Sequence, residues 1–306
     1  MQDRFPGGKR FAFTVVDDTD FATRANIEPV YRLFDELGMR TTKTVWPLEP
    51  TEPNPYDGAD TAQNLNYRAF LRDLQEQGFE IALHGVTMHS SPRAVIERGL
   101  TEFAEIFGGD PSMHINHFKN LDNVYWGRAR LSGMLPGGIY RAAAGSHTSL
   151  GHIEDSDFFW GDICRDRINY VRGFTFRATN LDEVDAPLVY RDSERPYANR
   201  LFSSTEGGDL VSYMAAITEG RQDALERDGG VCIMYTHFGA GFVENGQLNP
   251  EFERLTRRLA EKGGWFPTAT ELLDHLDGRD APVLTPSQRR HLEWGWLRER
   301  LRYGSS

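Results

Sequence analysis

The chain has 306 residues, 39% hydrophobic and 26% charged, a balance that supplies a sizeable core and excludes a disordered polymer. Its 34 Lys and Arg are outnumbered by 45 Asp and Glu, for a formal net charge of −11, which excludes a protein that grips nucleic acid by neutralising many phosphates. Two cysteines, Cys164 and Cys232, are too few for a disulfide framework and read as buried inert thiols.

The segment Met1 to Lys9 lacks the apolar stretch of a secretory signal, and no window nears the ~18 apolar residues of a membrane span. A cytoplasmic protein without membrane insertion is the expectation. Phe11 to Val16 reads as a buried strand. Ile27, Val30, Tyr31 and Phe34 then fall at helical spacing, and the helix ends near Gly38. Thr41 to Trp46 is a second strand; Tyr67, Phe70, Leu71 and Leu74 form a second helical face closed by Gly78; Phe79 to Leu83 is a third strand running into His84.

Ser91-Pro92 opens a helix to about Phe107, and Met113 to Phe118 is the next strand. From Asp122 to Asn199 only Tyr170 to Phe176 reads as a strand. Aromatic residues there, Trp126 among them, read as core. Periodicity returns with Leu210, Tyr213, Met214 and Ile217, followed by the strand Val231 to Tyr235 leading to His237. Asn249-Pro250 caps a helix, and Thr268 with Glu271 has the spacing of a capping box. A last helix begins at Thr285-Pro286 and packs on the barrel or on a second copy of the chain. Alternating strands and helices of this kind make an α/β protein with a mostly parallel sheet.

Three polar clusters stand at C-terminal strand ends, where such folds place their sites. Asp17-Asp18-Thr19-Asp20 needs a cation or a shared proton if its acids converge, the alternative being a solvated turn with a helix cap. His84 and His89 offer imidazoles that suit zinc, completed by a carboxylate from elsewhere. Their spacing of five sets them about 140° apart on a helix, so they converge only through a loop; the alternative is one core and one surface histidine. His237, behind Tyr235-Thr236 and before Phe238-Gly239-Ala240-Gly241, is placed for proton transfer near neutral pH.

The order acid pair, histidine pair, lone late histidine resembles the polysaccharide deacetylases of the NodB-homology group, carbohydrate esterase family 4. These carry T-F-D-D-G after the first strand, H-[ST]-x-x-H after the third and a late L-x-H. The likeness runs from Phe11 to about Leu276, includes the closing Gly264-Trp265-Phe266, and is nearest to variants from surface-polysaccharide and O-antigen gene clusters. It implies a distorted (β/α) barrel of about seven strands over residues 1–278, with a helical extension at 279–306. It implies Asp17 as general base, Asp18, His84 and His89 as ligands of a divalent metal, with zinc the default, and His237 as general acid.

Two departures keep alternatives open. The first motif lacks its glycine, so Asp20 stands as an alternative to Asp18, and the histidine spacing is five, so another histidine stands as an alternative to His89. The family's arginine-proline segment has no equivalent in sequence. In its place stands His114-Ile115-Asn116-His117, where Asn116 and His117, with Thr236 across the site, are candidates for binding substrate. On a strand His117 shares a face with Ile115 and is nearer the C-terminal end than His114. The expected activity removes acetyl from an N-acetylated, or O-acetylated, sugar of a surface polysaccharide or its precursor. Hydrolysis of a non-peptide C–N bond in a small non-sugar substrate, and a glycan-binding barrel without turnover, are the alternatives.

Overall fold

The computed structural model describes residues 4–50, 59–144, 148–277 and 281–304. Its centre is a closed barrel of seven parallel strands: β1 (Ala12–Asp17), β2 (Thr42–Val45), β3 (Glu80–Leu83), β4 (Met113–His114), β5 (Tyr170–Phe176), β7 (Arg200–Glu206) and β8 (Val231–Thr236). Closure comes from β5 pairing with β7 and from β8 pairing with β1 over the full length Ala12–Val231 to Asp17–Thr236. The two-residue β6 (Val189–Tyr190) adds antiparallel to β7.

The seventh barrel strand, β7, is not apparent in the sequence because Ser203, Ser204 and Thr205 dilute its apolar pattern. The strand expected at Met113 to Phe118 stops at His114. Both ends of the Asn116 side-chain amide are bonded to the backbone of Val124, at 2.8 and 3.1 Å, which draws the chain out of the ladder.

Strand alternation divides the apolar residues into two sets. Ala12 and Val16 of β1 pack with Ala82, Met113, Ile115, Tyr170, Phe202, Val231 and Ile233 inside the barrel. Phe13 and Val15, of opposite phase, pack outward against Ile27, Val30, Tyr31 and Phe34 of α1 (Arg24–Glu36). Further helices are α2 (Leu65–Glu76), α3 (Arg93–Phe107), α4 (Met134–Ala144), α5 (Gly161–Arg167), α6 (Leu210–Ala216), α7 (Glu219–Asp228), α8 (Pro250–Glu261), α9 (Ala269–Asp277) and α10 (Pro286–Tyr303). The caps expected at Asn249 and at Thr268 with Glu271 form. Ser91 does not cap α3; its hydroxyl turns back to the His89 carbonyl instead.

Helix α10 packs on the barrel. Leu292, Trp296 and Leu297 are buried, Trp296 stacks on Tyr140 of α4 at 5.6 Å, and it meets Phe174 of β5 at 5.8 Å. Buried ion pairs anchor it: Arg289 to Asp192 at 2.6 Å and Glu293 to Arg195 at 3.2 Å. The boundary expected at residue 278 lies outside the described residues. Cys164 and Cys232 are both buried and unpaired. Among the described residues, no helix is long and apolar enough to cross a membrane.

Candidate active site at the mouth of the barrel

A cavity of about 330 Å³ opens where the strands end. Its polar lining includes Asp18, Asp20, His84, Asn116, His117, Arg172 and His237. Phase explains most of this set. Asp18 continues the inward series of Ala12 and Val16, His84 that of Ala82, Arg172 that of Tyr170, and His237 that of Val231, Ile233 and Tyr235, while His117 enters from the loop after β4, beside the Asn116 side chain bonded to Val124. Gly85, at φ +69°, lets the chain turn away directly after His84.

Three histidines converge on Asp20. Nε2 of His117 lies 2.9 Å from Oδ1, and Nε2 of His84 and of His237 lie 3.3 and 3.2 Å from Oδ2. One ligand atom each from Asp20, His84 and His117 falls within 4.8 Å of the others. Two imidazoles and a carboxylate are the donor set of a borderline cation such as zinc, with room left for other ligands. Beyond the 3.3 Å approach of its Nε2 to Asp20, buried His84 has no hydrogen-bonded protein partner for its ring nitrogens among the described residues, as suits a group shaped to bind a ligand beside that carboxylate. The residues present fit a metal.

Asp18 is held by Arg172 in a two-armed pair, Nη1 to Oδ1 at 3.0 Å and Nη2 to Oδ2 at 2.6 Å, both side chains buried. Each carboxylate oxygen keeps a second lone-pair direction. Nδ1 of His237 donates to the Gly208 carbonyl at 2.6 Å, which turns Nε2 toward the cavity. Burial works against a charge on His237, but the hydrogen bond to Asp20, the charges of Asp18 and Asp20 and the Gly208 carbonyl outweigh it and push the pKa up to about 9. Burial disfavours charge on Asp20 as well, yet the surrounding histidines hold its carboxyl well below the usual range.

The other residues singled out in the sequence lie elsewhere. Asp17 has the outward phase and is fully buried. Its carboxylate accepts from the Phe238 amide at 2.8 Å and Tyr31 Oη at 2.9 Å and pairs with buried Lys43 at 3.0 Å. It does not line the cavity. Nor does His89, whose backbone is tied to Thr87 in the loop after β3, or Thr236, outward on β8. Asn116 lines the cavity, but its amide is committed to Val124. Arg172 was missed, although an arginine in phase with the inward residues of a buried strand was a legible signal. Arg130 and Trp126, also in the lining, come from the stretch without periodicity and gave none.

No family model matches the chain, and no curated protein matches it. Solved structures do. A protein from Mycobacterium smegmatis, provisionally assigned as a polysaccharide deacetylase, superposes with a TM-score of 0.53 at 12% identity over 92% of this chain and 95% of its own. A protein from Pseudomonas aeruginosa PAO1 described as a probable polysaccharide deacetylase gives 0.54 at 11% identity over 90% and 94%. Puue allantoinase gives 0.55 at 11% identity over 90% and 93%. The chain has the NodB-type (β/α) barrel fold.

Proposed function

We propose that the protein is a metal-dependent hydrolase that removes acetyl from an acetamido sugar. The observation that carries this reading is the convergence of Asp20, His84 and His117 beside the Arg172-held Asp18 and His237, all in one cavity. Asp20, His84 and His117 would hold the cation. When bound, the cation supplies Lewis acidity toward the carbonyl of the scissile amide. Asp18, oriented by Arg172, takes a proton from the attacking water as its oxygen bonds to the carbonyl carbon. His237 delivers a proton to the nitrogen as the C–N bond breaks, leaving acetate and a free amine. The likeness to structures described as polysaccharide deacetylases supports the reaction class.

The cavity's size supports a single sugar, such as a precursor of a surface polysaccharide, over a polymer. About 330 Å³ is near the lower end for small-molecule pockets, and Tyr140 of α4 with Trp296 and Arg300 of α10 wall it in. The same enclosure, with the likeness to an allantoinase, favours as a second reading a small non-sugar substrate with a hydrolysable C–N bond. The test is acetate release from acetamido monosaccharides and from their oligomers by zinc-loaded protein, with Asp18→Asn alongside. Release from monosaccharides that falls about 10²–10⁴-fold in Asp18→Asn is expected of a lost general base. Unchanged release in that variant would remove Asp18 from the reaction.

A further inference from the structure

Among the described residues, the Arg130 guanidinium in the cavity has no acidic or hydrogen-bonding counterpart at its Nε and Nη2 edge. Arg130 closes the short 3₁₀ turn Gly127–Arg130 and is 2% exposed, yet it lines the cavity. Its guanidinium lies 3.4 Å from the ring centre of Trp126 and 4.9 Å from that of Trp296. The rings take up its faces, and the Nε and Nη2 edge meets no hydrogen-bond acceptor. The acids nearby are spoken for: Asp18 by Arg172, and Glu293 by Arg195 and the Ser132 amide. Burial, together with Arg172 and Arg300, pushes the Arg130 pKa down to about 9, so it stays charged at neutral pH.

Burying an unpaired cation is costly, and attraction to two indoles offsets only part of that cost. Buried polar groups left without partners concentrate where a ligand completes them. An Nε and Nη2 edge presents two parallel donors, which match a carboxylate in two-point contact.

We propose that Arg130 is a substrate-binding residue that pairs with a carboxylate on the substrate, so that the hydrolysed compound is a small acidic N-acyl molecule. The inference rests on the hydrolase reading for the word substrate, and on Arg130 alone for the anion.

The test uses matched pairs that differ in charge: N-acetylmuramic acid against N-acetylglucosamine, N-acetylphenylalanine against its amide, and benzoate against benzamide. Binding to zinc-loaded protein is followed by calorimetry and thermal shift, in the natural chain, Arg130→Met, Arg130→Lys and His84→Ala. The expected result is at least one acid bound about 10- to 100-fold more tightly than its neutral twin, the range of a charge-assisted two-point contact. That preference disappears in Arg130→Met and shrinks in Arg130→Lys, which keeps the charge without the fork. Arg130→Met melts at the same or a higher temperature, because an unpaired buried charge has been replaced by an apolar side chain of similar reach.

No acid preferred in any pair, a preference that survives Arg130→Met, or a lowered melting temperature in both Arg130 variants with unchanged preference in Arg130→Lys would overturn the proposal and leave Arg130 as a pin for α10. The two readings fail separately. A preference intact in His84→Ala, together with a natural chain that neither binds metal nor releases acetate, keeps the anion subsite and rejects the hydrolase. Acetate released as readily from N-acetylglucosamine as from N-acetylmuramic acid rejects the subsite and keeps the hydrolase.

Discussion

Arg172 and Asp18 come from strands on different sides of the barrel and meet in a buried pair with both nitrogens engaged, at 3.0 and 2.6 Å. A carboxylate fixed in this way has one orientation, and its remaining lone pairs face the histidine cluster. Replacing Arg172 with Lys removes the fork while keeping the charge. Turnover is expected to fall about 10- to 100-fold with metal content unchanged, since the loss is one of orientation. Turnover within twofold of the natural chain would show that Asp18 needs no such partner.

Metal content separates the ligands. The natural chain should retain about one equivalent of metal through dialysis; Asp20→Ala, His84→Ala and His117→Ala should each lose it, while His89→Ala keeps it, because of these four only the first three present donor atoms within 4.8 Å of one another. Elemental analysis of chelator-free preparations checks this. Loss of metal in His89→Ala would require the loop after β3 to fold back into the cavity.

Asp17 should matter for stability and little for chemistry. Asp17→Asn leaves Lys43 buried against a neutral amide, and breaking a buried pair costs about 3–5 kcal/mol. Denaturant unfolding should show that loss, with turnover of the folded protein within a few-fold of normal. The opposite result, normal stability with turnover abolished, would give the general-base role to Asp17.

His152, which does not line the cavity, predicts an acid sensitivity of its own. Burial, and then Arg195, push its pKa down to about 4 in the folded protein, against about 6.5 unfolded. The folded state therefore resists protonation. Its contribution is intact above about pH 6.5 and declines as pH falls toward 4, by roughly 2 kcal/mol at pH 5. His152→Asn should flatten the stability profile between pH 7 and 5, and an unchanged slope would assign the acid sensitivity to other groups.

The fold was legible because its apolar segments alternate with helical faces. Six of the seven barrel strands carry that pattern, and β7 escapes because serine and threonine occupy its centre. In the site, His84 and His237 follow from strand ends and phase, and His117 from its place shortly after β4. The assignment of Asp17 and Asp18 by motif order had no such check. Val15 and Asp17 point to one face and Val16 and Asp18 to the other, so the inward phase of Ala12 and Val16 already selects Asp18. Arg172 carried the inward phase of Tyr170 on β5 and could have been read from it, whereas Arg130 and Trp296 enter the site through the packing of α10, which no local pattern encodes.

Because Trp296 and Arg300 of α10 are walls of the cavity, the pocket cannot be complete until α10 has been synthesised. Domains begin to fold as the chain emerges from the ribosome, at about 5–20 residues per second. A nascent chain that has exposed β1 through β8 already holds Asp20, His84 and His117 and can close its barrel, but its mouth stands open. Such an intermediate would be competent to take up metal before it can select a substrate. If Asp20, His84 and His117 hold a cation as proposed, a ribosome-stalled chain ending before α10 should bind zinc while lacking the pocket around Arg130.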